Sequence, residues 1–235
     1  KFIIFEFLVI YFLIIGGFMK RTFFRSKLKT TLLIMFLLFV YVLIAASSYT
    51  KAVCTDIANN VFRLHVIANS DSEEDQNLKY IVRDSILSYV NGILENINNK
   101  EDVVLTINNH IDEIKNIAQQ AVYNEGFTYD VEIEVGNFKF PTKTYGNISF
   151  PPGLYDALRV KIGNASGKNW WCVMFPPLCF VDVSSGIVPE DSKELMESNL
   201  SSEDYALVSS SKNTTKIKFK VVEVLQNLTI NGIFM

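Results

Sequence analysis

Histidine and cysteine are scarce in this chain. Its 235 residues include two histidines, His65 and His110, and three cysteines, Cys54, Cys172 and Cys179. Metal sites and acid–base or nucleophilic centres draw on clusters of these side chains at short spacing, and one histidine near scattered carboxylates is far from such a cluster. We therefore expect no metal ion, no cofactor and no catalytic residue.

The sequence also lacks an excess of basic residues. Residues 49–235 contain 16 Lys and Arg against 24 Asp and Glu, a net charge of −8. Proteins that bind nucleic acids present basic surfaces to the phosphates. The acidic body therefore excludes a nucleic acid as the expected partner.

Apolar residues are concentrated near the N-terminus. One apolar run covers residues 2–18, and a second, without any charge, covers residues 32–46. Between them, residues 20–29 include five basic residues and no acidic one. A basic segment followed by an apolar run is typical of an export signal or of a single membrane anchor.

Three segments follow from this layout. The chain begins with Lys1, and Met19 directly precedes the basic segment. We expect residues 1–18 to be either an upstream extension that is not native or an extra apolar helix. Residues 19–48 are expected to be a cleaved signal sequence or a retained membrane anchor, and residues 49–235 an extracytoplasmic domain.

The first part of the body alternates between strand and helix patterns. Residues 61–68 predict a strand with Arg63 and His65 on its polar face. Residues 74–94 predict an amphipathic helix, preceded by a capping box within residues 70–75. A second amphipathic helix is predicted from about Glu101 to Gly126, where glycine favours helix termination.

Charge patterns relate the remaining strands. Residues 127–135 predict a strand with an acidic outer face, whereas residues 158–162 and 216–221 predict strands with basic ones. Opposite charges on neighbouring strands are stabilising, so we expect these strands to share a sheet. The loop at residues 163–169 is predicted to join strands 158–162 and 170–175 as a hairpin.

The predicted fold class is α+β. It consists of a mostly antiparallel sheet packed against two amphipathic helices, preceded by the N-terminal membrane or signal segment. Two short helices are predicted near residues 192–199 and 202–207.

Two blocks of sequence are distinctive. The first is RLHVIANSD at residues 63–71, followed by DQ at 75–76 and VRD at 82–84. The second is YGN at 145–147, FP at 150–151, LRV at 158–160 and NWWCVMFPPLCF at 169–180. In this order, and behind an export signal, they resemble the stage II sporulation protein R family over residues 19–224.

The resemblance implies a secreted signal to which no catalytic residues are assigned. In that family, the forespore exports the protein into the space between its two surrounding membranes. There it triggers a membrane-embedded aspartic protease of the mother cell, which processes an inactive sigma factor precursor. We expect this chain to reach the same compartment, free or membrane-anchored, and to have the same kind of protease as partner.

A ligand that activates a protease by binding needs a rigid, specific surface. We expect that surface where the two blocks meet, and we expect tryptophan to anchor it. Replacing the more exposed of the two tryptophans should therefore impair protease activation. The candidate contact residues are Arg63, His65, Asn69, Asp71, Trp170, Trp171 and Phe175.

Cys172 and Cys179 have alternative interpretations. In one straight strand they would lie roughly 23 Å apart, so a disulfide requires the chain to reverse near Pro176. Without reversal they would be free, buried thiols. The alternative function is a cell-wall or peptide hydrolase with Cys172 as nucleophile and His65 as base, although no hydrolase signature flanks either residue.

Overall fold

A computed structural model describes residues 21–179 and 188–209 of the protein. The chain divides into two compact units, Lys1–Ser48 and Tyr49–Met235. The expected extension at residues 1–18 and the predicted strand at residues 216–221 lie outside the described residues.

The first helix, α1, covers Arg21–Asn59. Its Lys27–Ala46 segment has a mean hydropathy of 2.4 and is not buried against protein. Twenty apolar residues are about the length that crosses the hydrocarbon core of a bilayer as a helix. This segment is therefore compatible with a signal sequence or a membrane segment.

Helix α2, Glu73–Leu94, follows the predicted capping motif. The Ser72 side chain caps it by accepting a hydrogen bond from the backbone N–H of Asp75 at 3.2 Å. Leu78, Val82 and Ile86 form the buried stripe, as the helical periodicity predicts.

The second predicted helix is interrupted at one residue. Helix α3 covers Lys100–Asn109 and helix α4 covers Ile111–Asn124, because His110 adopts φ −109° and ψ 16°. Its N–H bonds the carbonyls of both Thr106 and Ile107, so the turn tightens there. The apolar stripe continues through the break, which is why periodicity alone predicts a single helix.

Within residues 21–179 and 188–209, the main sheet has four strands in the order β2-β5-β1-β6. Strand β1 is parallel to β5 and antiparallel to β6, and β2 is antiparallel to β5. A separate antiparallel pair is formed by β3 and β4. The strands are Phe62–Ile67 (β1), Val131–Phe140 (β2), Lys143–Tyr145 (β3), Ile148–Phe150 (β4), Gly153–Ile162 (β5) and Asn169–Phe175 (β6).

The charge pattern correctly predicts that β2 and β5 are neighbours. Glu132 is in register with Lys161 and Glu134 with Arg159. Both pairs form salt bridges, and Glu134 bonds Lys161 as well. These cross-strand contacts fix the register of the pair.

The predicted hairpin between β5 and β6 is wrong. Strand β1 lies between them and pairs with both. Its side chains are buried on both faces, from Phe62 to Val66, which suits an interior strand of the sheet. The loop after β5 therefore crosses the end of β1 instead of forming a tight turn.

Two short helices, α5 (Glu190–Asn199) and α6 (Ser202–Ser209), agree with the predicted ones. Met196 and Val208 bring them into the hydrophobic core. With α2 and α4 packed together and a mostly antiparallel sheet, the α+β fold class is confirmed.

Candidate interaction site

Strand β1 presents two buried faces. Leu64 and Val66 point to the side of helix α2, whereas Arg63 and His65 point to the side of strands β3 and β4. Arg63 is fully buried and His65 is 6% exposed. The predicted alternation is present, since Arg63 and His65 share one face of β1, but that face is buried, so neither lies on the surface as the predicted partner contacts would. Tyr145 of β3 and Phe150 of β4 contact Arg63. Trp171 and Phe140 contact His65.

Arg63 lies inside an aromatic cage. Its guanidinium carbon is 4.2 Å from the ring centroid of Phe140, 4.8 Å from that of Tyr155 and 5.8 Å from that of Phe150. Such contacts attract a cation to the faces of the rings. We call Phe140, Tyr145, Phe150 and Tyr155 the aromatic cage.

Two hydrogen bonds hold the guanidinium in the cage. Nη2 donates to Tyr145 Oη at 3.0 Å, and Nε donates to the Cys172 carbonyl at 3.4 Å. Tyr145 in turn donates to the Trp171 carbonyl at 3.1 Å. Within residues 21–179 and 188–209, no carboxylate pairs with Arg63, and its Nη1 has no hydrogen-bond partner. Arg63 thus joins β1, β3 and β6 below the surface.

His65 is held by a ring stack and one hydrogen bond. Its ring lies parallel to that of Trp171, with 3.7 Å between centroids. Nε2–H donates to Asn169 Oδ1 at 2.6 Å. Burial lowers the pKa of His65 to about 4, with smaller contributions from the positive charges of Arg159 and Arg63. The imidazole is therefore neutral at neutral pH.

This burial predicts a pH dependence of folding stability. Well above pH 6.5 neither state binds a proton at His65, but as the pH falls through 6.5 towards about 4 the unfolded chain binds a proton that the folded chain does not. The free energy of unfolding should therefore fall by about 2 kcal/mol between pH 7 and pH 5. Urea denaturation at the two pH values measures the difference.

The matched variant is His65→Phe, which keeps a ring on Trp171 and should lose most of the pH dependence. Glu134 does not interfere in this range, because hydrogen bonds from Lys161 and Arg159 lower its pKa to about 2. Its stabilisation is present above its ordinary pKa and is lost only as the pH falls towards 2. If the free energy of unfolding fell equally between pH 7 and pH 5 in wild type and in His65→Phe, His65 would not be the group responsible for the pH dependence.

The loop between β5 and β6 is fastened to the end of β1. Gly167 N–H donates to the Ala68 carbonyl at 2.9 Å, and Ser166 donates to the Asn69 carbonyl through both N–H and Oγ. Asn69 Oδ1 accepts from Asn164 N–H at 2.9 Å. Backbone and side chain of Asn69 thus hold two residues of the loop, and the Ala68 carbonyl holds a third.

Acidic side chains complete this attachment. Asp71 Oδ1 accepts from Lys168 N–H at 2.7 Å. The buried Asp75 accepts from Asn69 Nδ2 at 2.8 Å and from Ser70 Oγ at 2.6 Å, and these bonds outweigh the cost of its burial so that its pKa is lowered. Asn69 and Asp71, predicted as partner contacts, therefore bind the chain's own loop.

A surface cluster forms where Trp170 meets helix α2. The Arg83 guanidinium carbon is 4.4 Å from the Trp170 ring centroid and 5.0 Å from that of Tyr80. Tyr80 packs edge-on against Trp170 at 5.4 Å and remains 37% exposed. We call Tyr80, Arg83 and Trp170 the indole patch.

Sequence reasoning missed two members of the indole patch. Arg83 belongs to the VRD of the first block, and Tyr80 lies off the buried stripe of α2. Tyr80 and Arg83 are three residues apart and therefore lie on one face of α2. That face is the signal that could have suggested contact with a tryptophan of the second block. Their contact with Trp170 depends on how α2 crosses the sheet, which periodicity does not specify.

The two tryptophans lie on opposite faces of β6, as the strand pattern predicts. Trp171 packs on His65 and Phe140, and Trp170 on Tyr80 and Arg83. Both are half-buried, so neither is a fully buried core residue. Phe175, in contrast, is only 3% exposed and belongs to the core. Its prediction as a partner contact is therefore corrected, because a side chain buried in the core cannot touch a partner.

The chain reverses after β6, and Cys172 is bonded to Cys179 with a Cα–Cα distance of 5.1 Å. Leu178 N–H donates to the Val173 carbonyl at 3.0 Å, which closes the turn around Pro176 and Pro177. Of the two alternatives left by the sequence, the structure has the bonded one.

The geometry does not assemble a hydrolase dyad from Cys172 and His65. Cys172 is in register with Leu64, whereas His65 is in register with Trp171, so the two side chains lie on opposite faces of the sheet. Cys172 is also in a disulfide and has no free thiol. Among the described residues, no group of three or more His, Cys, Asp or Glu is placed to hold a metal ion.

Comparison with known proteins gives a family. The sequence matches the family described as stage II sporulation protein R over residues 58–185, more than half of the chain. It is also 38% identical over 138 residues to stage II sporulation protein R of Bacillus subtilis (strain 168). That alignment spans 59% of this chain and 62% of the relative. No solved structure matches. The matched residues include β1, α2, the aromatic cage and β6, and the chain belongs to the stage II sporulation protein R family.

Proposed function

We propose that this chain is a secreted signalling protein that activates a membrane-embedded aspartic protease of the mother cell. The protease then processes an inactive sigma factor precursor. Family membership over residues 58–185 carries the proposal and assigns the chain a role in sporulation. The step from that role to protease activation is the part that requires a test.

The proposed compartment is the space between the forespore and mother-cell membranes. The apolar segment Lys27–Ala46, preceded in sequence by basic residues, supports export from the cell that makes the protein. As a signal it would be cleaved, and as an anchor it would keep the body at the membrane surface. Either outcome presents residues 49–235 to an extracytoplasmic partner.

Activation by binding requires preference for one state of the protease. A ligand shifts a two-state equilibrium only by its difference in affinity for the two states, and a 10⁴-fold preference is needed to move it from about 1% to about 99% active. A surface whose rings are already packed loses little side-chain entropy on binding. The indole patch has this property, because Arg83 and Tyr80 hold the Trp170 ring in place.

Reconstitution tests the function directly. The full chain, the protease in lipid vesicles and the sigma factor precursor are combined, and precursor cleavage is followed by gel electrophoresis. We expect cleavage only when all three are present and none when the catalytic aspartates of the protease are replaced. Cleavage without the chain, or by the chain alone, would reject the proposal, and the second result would indicate a hydrolase.

The indole patch gives a specific expectation for this assay. Trp170→Ala should reduce activation by about 30-fold, corresponding to a loss of about 2 kcal/mol in binding, the typical effect at an interface anchor. Tyr80→Ala should have a smaller effect in the same direction. The measurement is the concentration of chain that gives half-maximal cleavage.

Tyr123→Ala is the matched control, because Tyr123 is another exposed aromatic residue, 49% exposed on α4. It should activate like wild type. Circular dichroism of each variant separates lost contact from lost folding. Full activation by a folded Trp170→Ala variant would move the interface away from the indole patch.

A further inference from the structure

The disulfide joins three parts of the fold near the end of β6. Cys172 is fully buried, and its carbonyl accepts the Arg63 Nε–H bond. Cys179 is half-buried beyond the turn at Pro176 and Pro177. The bond therefore closes a turn directly after the strand that carries Trp170 and Trp171.

The same turn holds helix α5. Ser192 Oγ donates to the Pro177 carbonyl at 2.6 Å, and Ser192 is 3% exposed. Met196, one helical turn further, is fully buried in the core. Docking of α5 thus depends on where the turn places Pro177, and the disulfide fixes that turn to β6.

Synthesis and action of the chain would take place under different redox conditions. Thiols remain reduced in the cytoplasm, whereas disulfides persist outside it. We infer that the Cys172–Cys179 bond forms only after export and converts the protein from an inactive reduced form to an active oxidised one. The inference rests on the proposed function, because the activity that is compared is protease activation. The mechanism rests on the geometry of the turn that the disulfide closes.

The reaction is a thiol–disulfide exchange with an oxidised dithiol oxidoreductase. The Cys179 thiolate, the more accessible of the two, attacks one sulfur of the enzyme's disulfide, breaks that S–S bond, releases the other sulfur as the enzyme's first thiolate and forms a mixed disulfide. The Cys172 thiolate then attacks Cys179 Sγ and displaces the enzyme's second thiolate. The chain loses two electrons and two protons, and the oxidoreductase gains both as a dithiol.

Cys54 is the third cysteine of the chain and is removed for the test. It is 7% exposed, and burial is the main cause that raises its pKa to about 11. A buried thiol with a raised pKa contributes little thiolate to exchange. Cys54→Ala leaves only the pair to be counted, and because oxidised and reduced forms are compared in this same background, the cost of the substitution itself cancels.

The test uses the full chain carrying Cys54→Ala. Maleimide labelling after denaturation should find no free thiol in the exported protein and two in chain that is held in the cytoplasm by blocking export. Reduction should lower the thermal midpoint by about 5–10 °C and reduce protease activation at least 10-fold. The Cys172→Ala/Cys179→Ala variant should match the reduced protein.

Two free thiols in the exported protein would overturn the inference, as would equal stability and activation of the oxidised and reduced forms. If even the oxidised form does not activate the protease, the proposed function fails. Thiol counting and hydrogen exchange at Trp170, Trp171 and Ser192 then still decide whether the bond forms on export and orders the turn. The two failures are therefore distinguishable.

Discussion

Replacing Arg63 by alanine should destabilise the domain by roughly 3–5 kcal/mol, the cost of truncating a large buried side chain. Arg63 is fully buried, and its removal leaves a void between the rings of the aromatic cage. It also removes the side-chain donor to the Cys172 carbonyl and one of the two hydrogen bonds of Tyr145 Oη, and a buried unsatisfied group costs about 1–3 kcal/mol. Thermal unfolding followed by circular dichroism should show a midpoint lowered by about 10 °C or more.

Two further variants identify the cause of the loss. Arg63→Met fills most of the cage without a charge, and because buried ions can often be replaced by apolar residues of similar volume, it should be much closer to wild type than Arg63→Ala. Arg83→Ala removes a partly buried arginine that contacts the Trp170 ring and pairs with the exposed Asp84, and it should cost only about 1 kcal/mol. If Arg63→Ala had wild-type stability but did not activate the protease, Arg63 would instead be a direct contact with the partner.

Gly167→Ala should cost roughly 3 kcal/mol or more, the range that follows a steric clash with backbone atoms. A Cβ at residue 167 would lie 2.0 Å from the Ser70 carbonyl oxygen and 2.4 Å from its carbon. Both atoms belong to the backbone, so no side-chain rotation relieves the contact. The loop between β5 and β6 would have to leave the end of β1 and break the Gly167–Ala68 hydrogen bond. Urea denaturation measures the cost.

Gly92→Ala is the matched control for this substitution. Gly92 lies inside α2, and nothing lies within 4 Å of a Cβ built there. Alanine should stabilise the helix by about 0.5–1 kcal/mol because glycine loses more conformational freedom on folding. Similar stability of the two variants would mean that the loop accommodates a side chain at residue 167 and that its attachment to β1 is not needed.

The two substitutions also separate folding from signalling. Gly167 lies two residues before Asn169, which bonds His65, and three before Trp170. Displacing the loop should therefore disturb both tryptophans, and signalling should fall together with stability. Retained activation by a destabilised Gly167→Ala protein would place the interface away from β6.

Local patterns predicted several elements correctly. The stripe from Leu78 to Ile86 predicted α2, the alternation in β2 predicted a strand, and Gly126, with φ +82°, lies just beyond α4 as the helix-termination signal requires. Glu132 and Glu134 predicted the partner strand of β2 from opposite charges on β5. These features depend on near neighbours or on one simple pairing rule, so the sequence contains them directly.

Alternation assigned the two faces of β1 correctly but not the burial of the polar one, because burial is a property of the whole fold. Arg63 and His65 alternate with Phe62 and Leu64, the usual sign of a half-exposed strand. In the structure, β3 and β4 cover the polar side, and aromatic rings replace water around the guanidinium. The sequence of a single strand does not specify which other elements pack on its second face.

The sequence by itself determined the family-like blocks, the apolar N-terminal segment, the helical stripe of α2 and the pairing of β2 with β5, since periodicity, composition and charge act over short distances. Only the tertiary structure decided that β1 separates β5 from β6, that Arg63 lies inside the aromatic cage, and that the indole patch forms. Those outcomes depend on contacts between residues about 80 to 110 positions apart. Such contacts form when helices and strands pack to exclude water from their apolar faces, and no local pattern specifies which partners they will meet.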